Sequence, residues 1–217
     1  AGLIEVTAGI DAAGSLIAWD FSNYNSGGSA LETPYQVPHG RTRFLNADSP
    51  LRQGSYRALA STANTFARES AMDELAGLAA VDPLEFRLRH LPAGRLKNAL
   101  QAAAAKFDWA GRRRSPRRGF GLACGTEKGS YTAACAEVEV VDESIRVLRV
   151  CQSFECGAIH NPANVRAQVE GCLMMGLGGA LHEEIEFAGG RIANPPFSTY
   201  RVPRMNDLPA IEIVLLN

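Results

Sequence analysis

The sequence has little of several features that would define its class at once. Its 22 basic and 23 acidic residues leave a net charge of −1, which argues against nucleic acid or an anionic membrane surface as a partner. No apolar run approaches the 18 residues that a membrane-spanning helix needs. We therefore expect a soluble protein with neither nucleic acid nor membrane as a partner, in the cytoplasm rather than the periplasm.

The cysteines also exclude more than they suggest. There are five of them, an odd number, and none forms a C-x-x-C pair. This pattern argues against a zinc ribbon, a complete disulfide framework and a four-cysteine iron–sulfur cluster. His160 and His182 have no partner at metal-ligand spacing, so no protein-ligated metal is predicted. Buried, reduced thiols are the expected state.

With 217 residues and 46% hydrophobic composition, the chain is long enough to bury a sizeable core. Period-2 segments predict strands over 3–8, 16–23, 41–46, 119–126, 133–141, 145–154 and 211–217, with a short hairpin over 186–192. Helical periodicity predicts helices over 62–80, from 83 onward, over 95–109 and from 162 onward. The first of these has one predicted apolar stripe, formed by Ala63, Phe66, Ala67, Ala71, Leu75 and Leu78. In the second of these, Asp82 is the expected cap and Glu85 completes a capping box. The fold class predicted is α+β, with mixed β-sheets and packed helices.

One break in this pattern suggests a domain boundary. The arginine-rich segment 112–118 separates an alanine-rich helix from a strand, and we interpret it as a solvated linker. It divides the chain into a first α+β section over 1–111, which contains an arginine loop and a helical cluster, and a second over 119–217. The second section contains the glycine-rich helix described next.

The helix from residue 162 is the most distinctive segment. Asn161 is a suitable cap and Pro162 fits the first helical position. Its apolar residues recur at helical spacing on one predicted face: Val165, Val169, Cys172, Leu173, Gly176, Ala180 and Leu181. Each glycine inside a helix costs about 1 kcal/mol relative to alanine, so Gly171 and its neighbours suggest close approach of a backbone or a flat ligand.

This helix resembles the N-P-x(n)-G-Q-V-E-G-x(4)-Q-G-x-G segment of the molybdenum-binding subunit of the xanthine dehydrogenase and aldehyde oxidase family. The resemblance continues over nearly the whole chain. Within this family, the chain is most similar to the isoquinoline oxidoreductase-like branch. Further segments fall in the family's order at 55–60, 64–76, 82–89, 136–140, 154–159 and 200–203.

The resemblance implies roles for particular residues. Arg57 aligns with an arginine beside the molybdenum centre, Leu59 with a residue that lines the substrate channel, and Gln168 and Gly171 with the cofactor-binding segment. Glu127 and Tyr131 belong to a polar loop that could face the channel. From the residues alone, Arg57 could equally be a surface arginine, Gln168 a surface amide and 127–131 a hairpin turn. The family's R-G-F-G also reads Arg-Ala-Leu-Ala at 57–60.

The resemblance implies a carboxy-terminal section of a molybdenum hydroxylase large subunit. The complete subunit would oxidise an N-heteroaromatic compound or an aldehyde, a small-molecule substrate, with water as oxygen source and a molybdenum–molybdopterin cofactor. Its partners would be the remainder of the large subunit and a [2Fe-2S] small subunit. No catalytic residue is assigned, because the family's glutamate base is expected beyond Asn217 and two cofactor loops before Ala1. We expect the isolated chain to be inactive; the alternative is a non-catalytic scaffold or assembly module.

Overall fold

The structure is a computed structural model that describes residues 2–48, 54, 57–113, 115–194 and 197–217. Its elements confirm the predicted α+β class. Nine strands are described: β1 (Leu3–Ile10), β2 (Leu16–Tyr24), β3 (His39–Leu45), β4 (Arg118–Glu127), β5 (Ser130–Val141), β6 (Ser144–Glu155), β7 (Phe187–Ala188), β8 (Arg191–Ile192) and β9 (Ala210–Leu216). The helices are α1 (Ser61–Leu78), α2 (Pro83–His90), α3 (Arg95–Phe107) and α4 (Pro162–His182).

Two sheets carry the architecture. The first has the order β1-β2-β3, and the second has the order β4-β5-β6-β9. Strands β4, β5 and β6 pair antiparallel, whereas β9 pairs parallel to β6. Parallel neighbours need a crossover connection, and the chain between β6 and β9 contains α4 and the β7–β8 hairpin. Helix α4 therefore belongs to the crossover beside the second sheet.

Local rules account for most element boundaries. The Asp11 carboxylate accepts hydrogen bonds from the backbone of Ala13 (2.9 Å) and Ser15 (2.8 Å), which closes the β1–β2 hairpin. Asn161 caps α4 by accepting from the backbone N–H of Asn164 at 3.0 Å, as predicted.

The capping box predicted at α2 is only half correct. Asp82 accepts from the backbone N–H of Leu84 at 2.9 Å. The Glu85 side chain, however, pairs with Arg89 one turn along the helix, with 3.0 Å between Oε1 and Nη2. A carboxylate with a cation at i+4 has an alternative to the backbone N–H at the cap, and the ion pair forms instead.

The core lies between the helices and the two sheets, and it contains residues from both sides of segment 112–118. Trp19 of the first sheet, Phe107 of α3 and Leu122 of the second sheet belong to one buried cluster. The division into two sections stays a prediction. The prediction that the linker is solvated is wrong at its first residue, Arg112. The Arg112 side chain is only 13% exposed, pairs with Asp82 and stacks over the Trp109 ring at 4.1 Å.

Two predicted apolar faces are only partly correct. In α1 the exposed residues include Phe66 and Leu78, which were expected in the core. The buried face instead consists of Asn64, Arg68, Glu69, Met72, Leu75 and Ala76. Of the predicted stripe in α4, only Val169 is buried, and Val165 and Leu173 are half-buried. The other four residues are exposed: Cys172, Gly176, Ala180 and Leu181.

Candidate functional site

A cavity of about 820 Å³ runs along one face of α4. The helix contributes Gly171, Met174, Met175 and Gly178, which have the i, i+3, i+4, i+7 spacing of a single helix face. Arg57 and the segment that follows α4, with Tyr200, Val202 and Pro203, line the rest of this first cavity. The structure therefore brings together Arg57 and Gly171, two of the three residues predicted to bind a cofactor.

The two glycines on this face have different reasons to be glycine. A Cβ at Gly178 would lie 3.0 Å from the Pro203 Cδ atom, so this glycine permits close packing of the following segment. A Cβ at Gly171 would meet no atom within 4 Å. Packing within this chain therefore does not require a glycine at 171, and its missing side chain leaves space for the cavity.

Arg57 carries an uncommitted positive charge into the first cavity. Its Nη1 atom lies 2.9 Å from the Met175 Sδ atom, and a thioether is a weak acceptor. No carboxylate in the described part of the chain forms an ion pair with it. Glu183, which also lines this cavity, accepts a hydrogen bond from the Tyr200 hydroxyl. The guanidinium thus keeps donors for an anion or an oxo group.

Gln168, the third predicted cofactor residue, lies outside the lining of this cavity and is exposed. Its position is three residues before Gly171, which puts it on the same helix face, one turn closer to the start of α4. A ligand that extended from the first cavity along the helix would meet this amide.

A second cavity, of about 640 Å³, contains all three residues predicted for a substrate channel, Leu59, Glu127 and Tyr131. Strands β4 and β5 form one side of it through small residues that include Ala123, Gly125, Ala133 and Ala134, and Phe154 adds an aromatic ring. The loop predicted at 127–131 is a tight hairpin turn, since Glu127 ends β4, Ser130 begins β5, and Lys128 and Gly129 have positive φ angles of 50° and 79°.

The ion pair of Arg95 and Glu155 packs against the Tyr131 ring. The Arg95 guanidinium lies over its ring, 4.5 Å from the centroid. Arg95 in turn donates to the buried Glu155, with 2.6 Å between Nη2 and Oε1, and Glu155 also accepts from the Gly157 N–H at 2.9 Å. The hydrogen bond from Arg95 lowers the pKa of the Glu155 carboxyl below its usual value. The pair stays ionised and fixes one wall of the second cavity.

Sequence reasoning missed a buried ionic cluster beneath this cavity. The Glu69 carboxylate accepts from Arg87 Nε at 2.9 Å, Arg68 Nε at 3.2 Å and the Tyr35 hydroxyl at 3.0 Å. It also accepts from the backbone N–H of Cys124 at 3.1 Å, and Cys124 lines the second cavity. The available signal was the charged residues inside the two helical segments that resemble the family.

Burial sets the protonation state of the groups around Glu69. Desolvation raises the pKa of the Cys124 thiol to about 12 and raises that of the Tyr35 hydroxyl well above its ordinary value. Both groups therefore stay neutral, and the Tyr35 oxygen lies 3.3 Å from the Cys124 Sγ atom. The cluster is a structural frame in which the Glu69 carboxylate pairs with two buried guanidinium groups, and Asp73 also pairs with Arg87 at 2.7 Å.

The two cavities share a wall. Arg57 lines the first, and the next residues, Ala58 and Leu59, line the second. On α4, Gly171 lines the first and Cys172 lines the second. Ala58 and Leu59 have left-handed φ angles of 65° and 53°, which non-glycine residues rarely adopt. Such strained backbone often occurs at ligand sites.

Comparison with known proteins finds similar sequences over the whole chain. Residues 125–209 match the family model described as a molybdopterin cofactor-binding domain. The chain is 29% identical to one of the subunits of nicotinate dehydrogenase from Pseudomonas putida, over 100% of its own length and 22% of that protein. It is 31% identical to the beta chain of isoquinoline 1-oxidoreductase from Brevundimonas diminuta, over 84% of its length and 24% of that protein.

Solved structures show the same fold. Quinoline 2-oxidoreductase from Pseudomonas putida 86 superposes with a TM-score of 0.80 at 13% identity, over 100% of this chain and 55% of that one. Aldehyde oxidoreductase from Desulfovibrio gigas gives a TM-score of 0.72 at 13% identity, over 100% and 43%. The chain thus has the fold of these two enzymes, and residues 125–209 match a molybdopterin cofactor-binding domain. It spans about a quarter of the length of the nicotinate and isoquinoline enzymes' subunits to which it is similar.

Proposed function

We propose that this chain supplies one side of a molybdenum–molybdopterin site and one wall of the adjoining substrate channel in a molybdenum hydroxylase. The complete subunit would oxidise an N-heteroaromatic compound or an aldehyde with water as the oxygen source. The observation that carries the proposal is the shared wall, because a cation-lined cavity and a mainly apolar cavity lie on its two sides. A hydroxylase needs such a pair, one for the cofactor and one for the substrate.

The residues of the first cavity fit the cofactor. Arg57 presents donors and has no carboxylate partner among the described residues, and Gly171 leaves open space beside the helix backbone. We assign Arg57 to the oxo or anionic part of the group, Gly171 to close approach and Gln168 to a hydrogen bond further along α4. When bound, the cofactor supplies oxygen transfer to the substrate and accepts two electrons.

The second cavity would position the substrate. Leu59 and Phe154 offer apolar surface to a flat ring, and Tyr131 is immobilised by Arg95 and Glu155. The small residues of β4 and β5 leave the space that the ring occupies and exclude water once it is filled. The side chains of this chain thus bind and orient the substrate, and we assign none of them as the proton acceptor.

Partners follow from the relatives. Several of the similar proteins are named as single subunits of larger enzymes, so the remainder of a large subunit and further subunits are expected beside this chain. We propose that one of them is a [2Fe-2S] subunit that removes the electrons. No helix of the described residues is long and apolar enough to cross a membrane. All five cysteines are free thiols, which favours the reducing cytoplasm over the periplasm.

The proposal can be tested with two matched glycines of α4. Gly171 and Gly176 are both exposed, and a Cβ at either position meets nothing within 4 Å, but only Gly171 lines the first cavity. Each would be changed to leucine in the complete subunit. We expect Gly171→Leu to lose most of its bound molybdenum, because the leucine side chain would fill the first cavity, and we expect Gly176→Leu to keep it. The two changes are matched because they improve helix propensity equally.

Metal analysis and circular dichroism on the same preparations give the answer. Equal molybdenum content in the two leucine variants, both folded, would refute the placement of the cofactor along this face. Full molybdenum loading without hydroxylation of isoquinoline, nicotinate or an aldehyde would favour the scaffold alternative.

A further inference from the structure

Cys172 is the only exposed residue among the described cysteines. It follows Gly171 directly in α4, so its side chain projects about 100° around the helix from the face that lines the first cavity. It lines the second cavity together with Leu59 and Tyr131. The helix that forms one side of the first cavity therefore also contributes one side chain to the second.

Leu59 also lines the second cavity, on the loop that contains Arg57. Ala58 and Leu59 both have left-handed backbone, and both line the second cavity, whereas Arg57 lines the first. In the second cavity, Leu59 on the loop thus lies two positions from Arg57 and Cys172 on the helix lies next to Gly171, and both of these neighbours line the first cavity.

We propose that Cys172 is a specificity-determining residue, which with Leu59 forms the constriction between the two cavities and limits the size of ring that can approach Arg57. This inference rests on the proposed function for the use of the cavities, but the constriction itself is a property of the chain. The small thiol leaves the passage open to a fused two-ring compound, and a bulky side chain at 172 closes it.

The first experiment measures the constriction without a substrate. N-ethylmaleimide is added to the purified chain, and the rate of modification at Cys172 is followed by peptide mass spectrometry. Leu59→Trp should slow the reaction at Cys172 at least tenfold and Leu59→Gly should accelerate it. The control is Leu78→Trp, at an exposed leucine of α1 that lines neither cavity, and it should leave the rate within twofold.

The second experiment measures size selection with isoquinoline and pyridine as probes, by calorimetry. Cys172→Ser should keep the affinity for both probes, whereas Cys172→Trp should weaken isoquinoline at least tenfold and pyridine by much less. Ala180→Trp, an exposed position of the same helix outside both cavities, controls for a new indole on α4. Bound isoquinoline should also protect Cys172 from maleimide.

The outcomes separate the two hypotheses. Equal maleimide rates at Cys172 in Leu59→Trp and Leu78→Trp would overturn the constriction, as would equal weakening of both probes by Cys172→Trp and Ala180→Trp. Failure of either probe to bind the unmodified chain would count against the second cavity as the substrate site, and the maleimide rates would then decide the constriction alone.

Discussion

Replacing Glu69 with glutamine should be among the most destabilising single changes in this chain. The substitution keeps the size of the side chain but removes its charge and one acceptor oxygen. Arg68 and Arg87 would remain 2% and 0% exposed, and of the two only Arg87 would keep a carboxylate partner, Asp73 at 2.7 Å. The amide nitrogen of the new side chain would also face donors, because every partner described for the Glu69 carboxylate donates to it.

The expected magnitude follows from these contacts. Breaking a buried ion pair by removing one partner costs about 3–5 kcal/mol. Here Arg68 loses the carboxylate with which it pairs, and Arg87 loses one of its two carboxylate partners and keeps Asp73. Because total stabilities lie at about 5–15 kcal/mol, a large share of the free energy of unfolding should be lost. For a chain of this size the loss corresponds to roughly 10 °C in Tm.

The assay is urea denaturation followed by circular dichroism, with Glu85→Gln as the matched control. Glu85 belongs to the adjacent helix and pairs with Arg89 at the surface, where an i,i+4 pair contributes about 0.3–0.5 kcal/mol. A loss below about 1 kcal/mol for Glu69→Gln, or a loss equal to that of Glu85→Gln, would refute the idea that this carboxylate neutralises buried charge. An unchanged m-value would show that the same cooperative unit unfolds in each variant.

Three further outcomes are expected. Between pH 9 and the folded pKa of about 12, the unfolded Cys124 thiol loses its proton while the folded one keeps it, so this thiol should contribute about 1.4 kcal/mol per pH unit to the fall in stability. Cys124→Ser should lower the slope of stability against pH in alkaline denaturation by that amount, and identical slopes would contradict the burial argument. Ala58→Gly should raise Tm, because it relieves about 1–2 kcal/mol of left-handed strain and the entropic cost of glycine is only about 0.4–1 kcal/mol. The control Ala63→Gly inside α1 should lower Tm, and a fall in Tm for both variants would argue against strain at Ala58. Arg57→Lys in the complete subunit should reduce turnover about ten- to a hundredfold with the fold intact, and normal turnover and molybdenum content in both Arg57→Lys and Arg57→Ala would show that the arginine is idle.

Much of the fold was predictable because local chemistry determines it. The start of α4 depends on Asn161 and Pro162, and the β1–β2 turn depends on the Asp11 side chain, all within four residues of the groups they contact. The parallel pairing of β9 with β6 joins segments about 60 residues apart, and periodicity alone contains no information on that partner.

The buried face of α1 shows where local reasoning fails. Hydrophobic periodicity favoured Phe66 and Leu78, yet the fold buries Arg68 and Glu69. Their burial is favourable only because Tyr35, Arg87 and the Cys124 backbone supply partners from 18 to 55 residues away. A rule that assigns charged residues to the surface cannot anticipate partners that exist only in the folded chain.

The candidate site divides in the same way. Family resemblance selected Arg57, Leu59, Gln168 and Gly171, and the polar loop over 127–131 suggested Glu127 and Tyr131. All of these except Gln168 line one of the two cavities. The sequence could not indicate that consecutive residues would line different cavities. This arrangement depends on the left-handed turn at 58–59 and on the rotation between successive positions of α4.

The ionic cluster and the cavities are physically connected, which gives the helical motifs a role in function without contact to a ligand. The Glu69 carboxylate accepts a hydrogen bond from the Cys124 N–H, and Cys124 and its neighbours on β4 line the second cavity, as Cys172 does. The same carboxylate anchors Arg87 of α2 and Tyr35 of the loop between β2 and β3. A change at Glu69 that leaves the chain folded should therefore still shift β4 and weaken ring binding in the second cavity, whereas an equally destabilising change remote from β4 should not.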